Sequence, residues 1–524
     1  MKLRTIVKIA ITSSVVLLCS GFALYSFFRL SAAEGQKDFN LYELVPSTTS
    51  AVFVTDDVLE FVAEVDDLTC SKNQQYLYVS KLFSYLKQSL YALSEDTPHG
   101  LSRQMNQMLI SFHEPDNERN QVLYCRLGNG DKELVNRFVR KYISSLYPPK
   151  TFVYKGEEIV IYPMADGDFL ACYLTSDFMA LSFQKKLIEN VIDAYKSGKS
   201  LADDSTFAGM RAPKKSAAIA TIYTRMQGMM GWTEFDMKMK DDFIYFSGIT
   251  HDADSCFAFI NQLRQQQSVK GFPGEVLPST AFYFSRQGIT DWASLLSYGN
   301  AQGQGVVSRT SEVQNIDKEF SRYLMENAGQ DLVACLFQRE DTLQGAAAVL
   351  SLAVADVAEA ERMLRALVNA APTDEGRRIP RITYCYTVNK AYLVYRLPQT
   401  TLFEQLTSFA EPTLDVCAVF YGGRLLLAPD VDALSHYIRQ LDKGEVLNGA
   451  MAYQTSMDHL SDSYHFMLMV DFDHIFQQSE NHVRFVPDFF LRNADFFHNF
   501  TLFVQFVCTD GVIYPNIVLK YKSE

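Results

Sequence analysis

The chain lacks the excess of positive charge and the glycine- or proline-rich composition that mark several protein classes. Its 48 Lys and Arg residues are outnumbered by 61 Asp and Glu residues, so the formal net charge is -13. A nucleic-acid-binding surface needs a basic footprint, and this balance argues against one. With 26 Gly and 16 Pro in 524 residues, collagen-like and low-complexity classes are excluded. The 48% hydrophobic content is typical of a folded protein.

Recognisable catalytic motifs are also missing. The sequence contains no G-x-S-x-G, no H-E-x-x-H, no Walker sequence and no EF-hand loop. It has no C-x-x-C either, which argues against a zinc site built from paired cysteines. We therefore predict no catalytic residue, no cofactor and no metal ligand, and a non-enzymatic role is favoured.

Most cysteines lie inside apolar runs, such as LACYL around Cys172 and DVCAVF around Cys417. A buried cysteine behaves as a small hydrophobic residue. We predict mostly free, buried thiols. Several disulfides are the alternative, because the compartment predicted below permits them.

The amino terminus predicts export. Lys2, Arg4 and Lys8 precede an apolar run over residues 9–28, which is long enough to cross a bilayer as a helix of about 30 Å. Positive charge on the N-terminal side predicts a cytoplasmic N-terminus and an external body. We expect a retained signal anchor in a bacterial inner membrane, with a single pass and a periplasmic body. A signal peptide cleaved near Ala33 is the alternative, and Leu18 disfavours a lipoprotein anchored at Cys19.

The remaining chain has the pattern of an internal duplication. LVPSTTSAVFV at 44–54 is matched by VLPSTAFYF at 276–284, and each run predicts a strand after Pro-Ser-Thr. Aligning Gly198 with Gly444 superposes two amphipathic helices, each ending at its glycine as a helix C-terminus favours. Each half then closes on a hairpin, turning at residues 240–242 or 509–511.

Paired strands with returning helices indicate an α+β fold rather than alternating βαβ units. We predict two related lobes of mostly antiparallel sheet with helices on one face, preceded by one N-terminal transmembrane helix. The predicted units are 1–39 as cytoplasmic end, anchor and tether, 40–272 as the first lobe and 273–524 as the second. The first lobe also has a helical pattern over about 71–110.

Two apolar clusters are candidates for an interaction surface. Methionine-rich surfaces can bind adaptably, and an apolar insertion present in one half only is a better interaction candidate than the shared core. Ordinary core packing is the favoured interpretation of both clusters. The candidate residues are Met226, Met229, Met230, Phe485, Phe489, Phe490, Phe496 and Phe497.

Several aspartates precede helical runs and are predicted to be N-caps. Asp356 and Asp430 are two of them. In the run Asp471-Phe472-Asp473-His474, the carboxylates and the imidazole could hold a metal, but a helix should start here, so a cap at Asp473 is favoured.

The Pro-Ser-Thr opening strand, the duplicated halves and the stretch GKSLADDSTF at 198–207 resemble an uncharacterised bacterial family of membrane-anchored envelope proteins, classed as a domain of unknown function. The resemblance covers most of the chain beyond residue 40 and implies no catalytic residue. We therefore expect a protein that binds or scaffolds an envelope partner or an apolar ligand. The alternatives are an envelope hydrolase with an unrecognised site and a periplasmic folding or assembly factor.

Overall fold

The computed structural model describes most of the chain beyond residue 38. The described residues are 39–73, 105–113, 117, 119–128, 131–138, 147–164, 167–210, 218–225, 231–251, 258–296, 311–339, 345–370, 380–387, 390–397, 400–407, 415–478 and 486–522.

The fold is α+β, with a large antiparallel sheet and helices, as the sequence predicts. The strands are β1 Ala51–Thr55, β2 Met108–Phe112, β3 Gln121–Arg126, β4 Lys150–Tyr154, β5 Glu157–Pro163, β6 Phe169–Leu174, β7 Phe178–Ser182, β8 Ala220–Thr224, β9 Trp232–Lys240, β10 Phe243–His251, β11 Val269–Lys270, β12 Ala281–Gly288, β13 Ala328–Gln338, β14 Ala346–Val354, β15 Ile382–Tyr386, β16 Ala391–Leu397, β17 Val416–Tyr421, β18 Arg424–Ala428, β19 Ser463–Tyr464, β20 Phe466–Asp471, β21 Phe500–Thr509 and β22 Val512–Tyr521.

The helices lie between these strands in chain order. They are α1 Val58–Asp67, α2 Thr69–Lys72, α3 Asp131–Phe138, α4 Lys185–Ser197, α5 Ser205–Met210, α6 Ala258–Arg264, α7 Ser311–Asn327, α8 Val357–Ala370, α9 Leu402–Leu406, α10 Val431–Lys443, α11 Met451–Met457, α12 Phe472–Phe476, α13 Asp488–Arg492 and α14 Ala494–Phe497. Short 3₁₀ turns at Leu41–Leu44, Leu201–Asp203, Pro273–Glu275 and Leu447–Gly449 complete the described helical elements.

Twenty of the strands form one sheet, in which every pair is antiparallel. The spatial order is β4-β5-β6-β7-β3-β2-β1-β8-β9-β10, followed by β22-β21-β20-β12-β13-β14-β18-β17-β16-β15. The first ten strands, read from β4 inward to β10, have the same connectivity as the second ten, read from β15 inward to β22. The two sets meet where β10 pairs with β22, with Phe243 opposite Lys520. The strands β11 and β19 form a separate pair.

Helices cover both faces of this sheet, so the prediction of helices on one face is wrong. Neighbouring strand residues point to opposite faces. On β1, Phe53 packs with α1 in one cluster, whereas Val52 packs with α4 in another. On β12, Phe284 belongs to the cluster that contains α10, whereas Tyr283 belongs to the cluster that contains α7 and α8. The core therefore consists of apolar layers on each side of the sheet.

The helix boundaries follow the local chemistry that the sequence predicts. Both α4 and α10 end at a glycine with left-handed backbone, Gly198 at φ 62° and Gly444 at φ 74°. A residue without a Cβ adopts this conformation at little cost. Asp430 caps α10 by accepting a hydrogen bond from the Ala433 amide at 2.7 Å, and Asp356 accepts one from the Glu359 amide at 3.1 Å. These two predicted caps are confirmed.

Other predictions from the sequence have mixed outcomes. The strands after Pro-Ser-Thr are present as β1 and β12, and the closing hairpins are β9–β10 and β21–β22. Most of the helical stretch predicted over 71–110 lies outside the described ranges, at 74–104. Its end is wrong, because residues 108–112 form β2 and pair with β1 and β3. No helix within the described ranges is long and apolar enough to cross a membrane. The predicted anchor, residues 9–28, lies outside those ranges.

Candidate functional site

A cavity of about 860 Å³ lies on one face of the sheet, where β10, β20, β21 and β22 reach the same edge. The helix α11 and the preceding turn cover it, and Met451 at 80% exposure stands at its mouth. Pockets of about 300–1,000 Å³ are the size that binds small molecules. Phe243 contributes the wall from the first half of the chain, so the cavity lies at the junction of the two sets of strands.

The register of the strands divides the cavity into a polar end and an apolar floor. Phe243, Lys520, Thr501 and Asp471 face one another in a single row across four strands. Directly opposed residues of antiparallel strands share a face.

One step further into the sheet, the corresponding row contains Tyr245, Val518, Phe503 and Met469. The last three of these side chains are buried. The charged groups therefore lie at the strand ends, and the floor behind them is apolar.

Asp471 is the centre of an ionic cluster at the polar end. Its Oδ1 contacts the Lys522 ammonium and accepts a hydrogen bond from the Asp473 amide at 3.2 Å, and its Oδ2 lies 3.4 Å from Nδ1 of His474. Burial raises the pKa of the Asp471 carboxyl, but hydrogen bonding to His474 and attraction to Lys522 outweigh that effect, so the pKa is lowered. The hydrogen bond to Asp471 raises the pKa of His474.

The same cluster corrects the predicted cap. The helix α12 begins at Phe472, so Asp471 is its N-cap, rather than Asp473. Among the described residues, no group of three His, Cys, Asp or Glu side chains is arranged to hold a metal ion. Asp471 and His474 lie together as the sequence suggested, but their described contacts are a cap and an ion pair.

Lys520 spans the cavity from the sheet to the covering helix. Its ammonium donates a hydrogen bond to the carbonyl of Ala452 at 2.9 Å and lies 5.2 Å from the centre of the Phe243 ring. Partial burial lowers the pKa of Lys520, against the attraction of Asp242. The charge is therefore held in a partly desolvated place, where an added anionic partner would stabilise it.

The corresponding place in the first half is filled by an aromatic ring. Trp232 lies nine residues before Asp241, and Thr501 lies nine residues before Asp510; these two aspartates have the same positive-φ backbone at the two hairpin turns. Trp232 is fully buried.

Two further side chains pack around that ring. The guanidinium of Arg225 lies 4.7 Å from the Trp232 ring centre, and Phe207 packs edge-on to it at 5.0 Å. Counted from the helix-ending glycines, Arg225 corresponds to Asp471 and Phe207 to Tyr453. The second half has a cavity where the first has a tryptophan, because Thr501 is smaller.

The predicted interaction residues do not line this cavity in the part of the chain that the structure describes. Met226, Met229, Met230 and Phe485 lie outside the described residues. The other four predicted phenylalanines form an aromatic cluster; they are Phe489, Phe490, Phe496 and Phe497.

This cluster packs against the face of the sheet opposite the cavity. Phe490 lies 4.8 Å from Phe472, and Phe496 lies 5.1 Å from Phe500, ring centre to ring centre. Phe497 is buried, whereas Phe489 is 37% exposed. The interaction surface proposed for these residues stays a prediction.

The described cysteines are free thiols, as predicted. Cys172 and Cys417 are both buried in strands, and Cys508 is half-buried. Burial raises the pKa of Cys172 to about 12 and that of Cys417 to about 11. Since the thiolate is the reactive form, these residues are packing groups rather than nucleophiles.

Sequence reasoning singled out Asp471 and His474 but missed Lys520 and Thr501 at the polar end of the cavity, because these two residues form no motif. Thr501 and Lys520 lie on different strands, and each is unremarkable alone. Aligning the two closing hairpins would have shown the exchange of Trp232 for Thr501, a loss of bulk at an equivalent position. Comparison with known proteins adds nothing to this geometry: no family model, curated protein or solved structure matches the chain.

Proposed function

We propose that this is a non-enzymatic, membrane-tethered envelope protein that binds an apolar ligand in the cavity between β10, β20–β22 and α11. The observation that carries the proposal is the cavity itself, which has a floor of buried apolar side chains and an open mouth. About 25 cal/mol is gained per Å² of apolar surface removed from water, so such a floor favours a hydrocarbon ligand.

The location and the architecture belong to the same proposal. The apolar run over residues 9–28 and the preceding basic residues favour a single inner-membrane anchor with a periplasmic body. The recurrence of strand order about the β10–β22 pair supports two related lobes that arose by duplication. The proposal places the cavity where the two lobes join.

A photo-crosslinking experiment with Thr501→Trp tests the binding role. The full chain is placed in lipid nanodiscs without detergent and labelled with dodecanol that carries a terminal diazirine. We expect labelled peptides containing Met469 or Phe503 in the parent protein. A tryptophan at position 501 should displace at least two methylene groups of the bound probe from the cavity. This costs about 1.6 kcal/mol of binding free energy and reduces labelling more than tenfold.

The matched control is Thr206→Trp, which adds the same bulk at an exposed position of α5. It should label like the parent protein. Circular dichroism and the thermal midpoint establish that both variants are folded. If folded Thr501→Trp labels as strongly as the parent, the cavity is not the binding site. If the parent itself shows no labelling at these peptides, the proposed function fails.

A hydrolase is the second candidate, and the observation that favours it is the Asp471–His474 pair beside the cavity. A carboxylate that orients an imidazole is the arrangement found in general-base catalysis. The ring of His474 also stacks over Phe282, with 6.0 Å between ring centres. His474→Ala should then abolish cleavage of a p-nitrophenyl ester, while crosslinking at the cavity persists. Absence of cleavage by the parent protein would reject this candidate.

A further inference from the structure

The charges around the cavity show which kind of head group its ligand carries. Lys520, Lys522 and His474 are the basic side chains at the lining, and Asp471 and Asp242 are the acidic ones. With the imidazole neutral these five groups balance, and with it protonated the lining is positive by one charge. The balance does not by itself select a ligand, so the free hydrogen-bonding capacity of each group decides.

The carboxylate of Asp471 has little capacity left for a cationic ligand. Its Oδ1 contacts both Lys522 and the Asp473 amide, and its Oδ2 faces His474. Asp242 is on the β9–β10 turn, where its charge attracts Lys520. A cationic head group at Asp471 would therefore have to displace the ion pair with Lys522.

The ammonium of Lys520 has capacity to spare. It carries three N–H donors, and the described residues supply one hydrogen-bond acceptor, the carbonyl of Ala452. Burial lowers the pKa of Lys520, which agrees with an ammonium whose loss of hydration is not fully compensated by its neighbours. Thr501 is its direct cross-strand neighbour and offers a hydroxyl. Together they form a donor pair at the polar end of an apolar cavity.

Resting on the proposed function, we infer that the ligand is a single-chain amphiphile with an anionic head group, bound by Lys520 and Thr501. The hydrocarbon chain lies along Met469, Phe503 and Phe243, and the mouth at Met451 admits it. Carboxylate and phosphate head groups share the chemistry that this site recognises, because both accept charge-assisted hydrogen bonds from an ammonium.

Four diazirine-labelled probes with the same chain test this inference: dodecanoate, dodecyl phosphate, dodecanol and dodecyltrimethylammonium. Each is titrated against the full chain in nanodiscs, and crosslinks at the Met469 and Phe503 peptides are quantified. Both anions should reach half-labelling at a concentration at least about tenfold below the alcohol and the cation, as expected for one charge-assisted hydrogen bond. The ratio of dodecanoate to dodecyl phosphate then identifies the preferred head group.

Lys520→Met should remove the preference for anions while the alcohol still labels, and Lys520→Arg should keep the preference. Lys186→Met, at an exposed lysine of the first half, is the control for a general loss of charge. An unchanged anion preference in Lys520→Met would overturn the inference.

Equal labelling of the parent by alcohol and anions, or preference for the cation, would overturn it too and would leave the proposed function standing. Absence of labelling by all four probes would instead reject the proposed function and this inference with it.

Discussion

The substitution Trp232→Thr gives the first half the residue that the second half has at the equivalent position, Thr501. The ring is fully buried, against Arg225 and Phe207. Truncating a buried aromatic side chain costs about 3–5 kcal/mol, and loss of the cation–π contact adds about 0.5–2 kcal/mol. One contribution opposes these losses. The indole N–H of Trp232 is buried without a hydrogen-bond partner among the described residues, so removing it stabilises the folded state by about 1–3 kcal/mol.

These contributions sum to an expected loss of about 0.5–6 kcal/mol in the free energy of unfolding, centred on about 3 kcal/mol. The assay is urea unfolding of the full chain at 25 °C, followed by far-UV circular dichroism and read from the shift of the midpoint. The other tryptophan provides a matched comparison. Trp292 is also buried, but its indole N–H donates to the Gly329 carbonyl at 3.1 Å.

Trp292→Thr should therefore cost more than Trp232→Thr, because it leaves a carbonyl without its donor instead of removing an unpaired N–H. That difference is about 2–6 kcal/mol, and it exceeds the cation–π contact of about 0.5–2 kcal/mol that only Trp232 loses. Two results would refute the reasoning. A loss below about 0.5 kcal/mol for Trp232→Thr would show that the ring does not support the first half. A cost for Trp232→Thr equal to or above that of Trp292→Thr would show that the indole N–H is satisfied.

Three further predictions concern pH, capping and thiol reactivity. Because the pKa of His474 is raised, the parent protein should bind dodecanoate more tightly than His474→Gln does, by a ratio that grows as the pH falls through that pKa; taking the ratio at each pH cancels the titration of the dodecanoate head group. Asp430→Ala loses a cap bond and an ion pair 3.0 Å from Arg339, so it should cost about 1–2 kcal/mol in thermal unfolding. In maleimide labelling at pH 7.5 with peptide mapping, Cys508 should react before Cys417, whose pKa burial raises to about 11; the reverse order would contradict the described burial.

Local chemistry explains what could be predicted from the sequence. The end of α10 at Gly444 and its start at Asp430 depend on residues within one helix, so their spacing in the chain is sufficient. The two-sided covering of the sheet could have been inferred from β3. Its residues Val122, Leu123 and Tyr124 are consecutive and all buried, which is typical of a strand with apolar layers on both faces.

The candidate site could not be predicted, because it depends on pairings between distant parts of the chain. Phe243 meets Lys520 only when β10 pairs with β22, and Thr501 meets Asp471 only when β21 pairs with β20. The sequence near these residues contains no motif that predicts either strand pairing. The one available signal is comparative: equivalent positions in the two halves hold Trp232 and Thr501, and a difference of that size in a conserved architecture changes the packing.

The position of the cavity also connects binding to the centre of the sheet. Phe243 and Lys520 are directly opposed residues of the strand pair that joins the two halves, and both line the cavity. On the proposal made above, an amphiphile that contacts both adds its binding free energy to this junction, about 2.7 kcal/mol at a concentration one hundred times its Kd. In the first half, Trp232 supplies the equivalent packing permanently. The duplication would then have left one half closed by its own side chain and the other closed by its ligand, so that the junction tightens when the cavity fills.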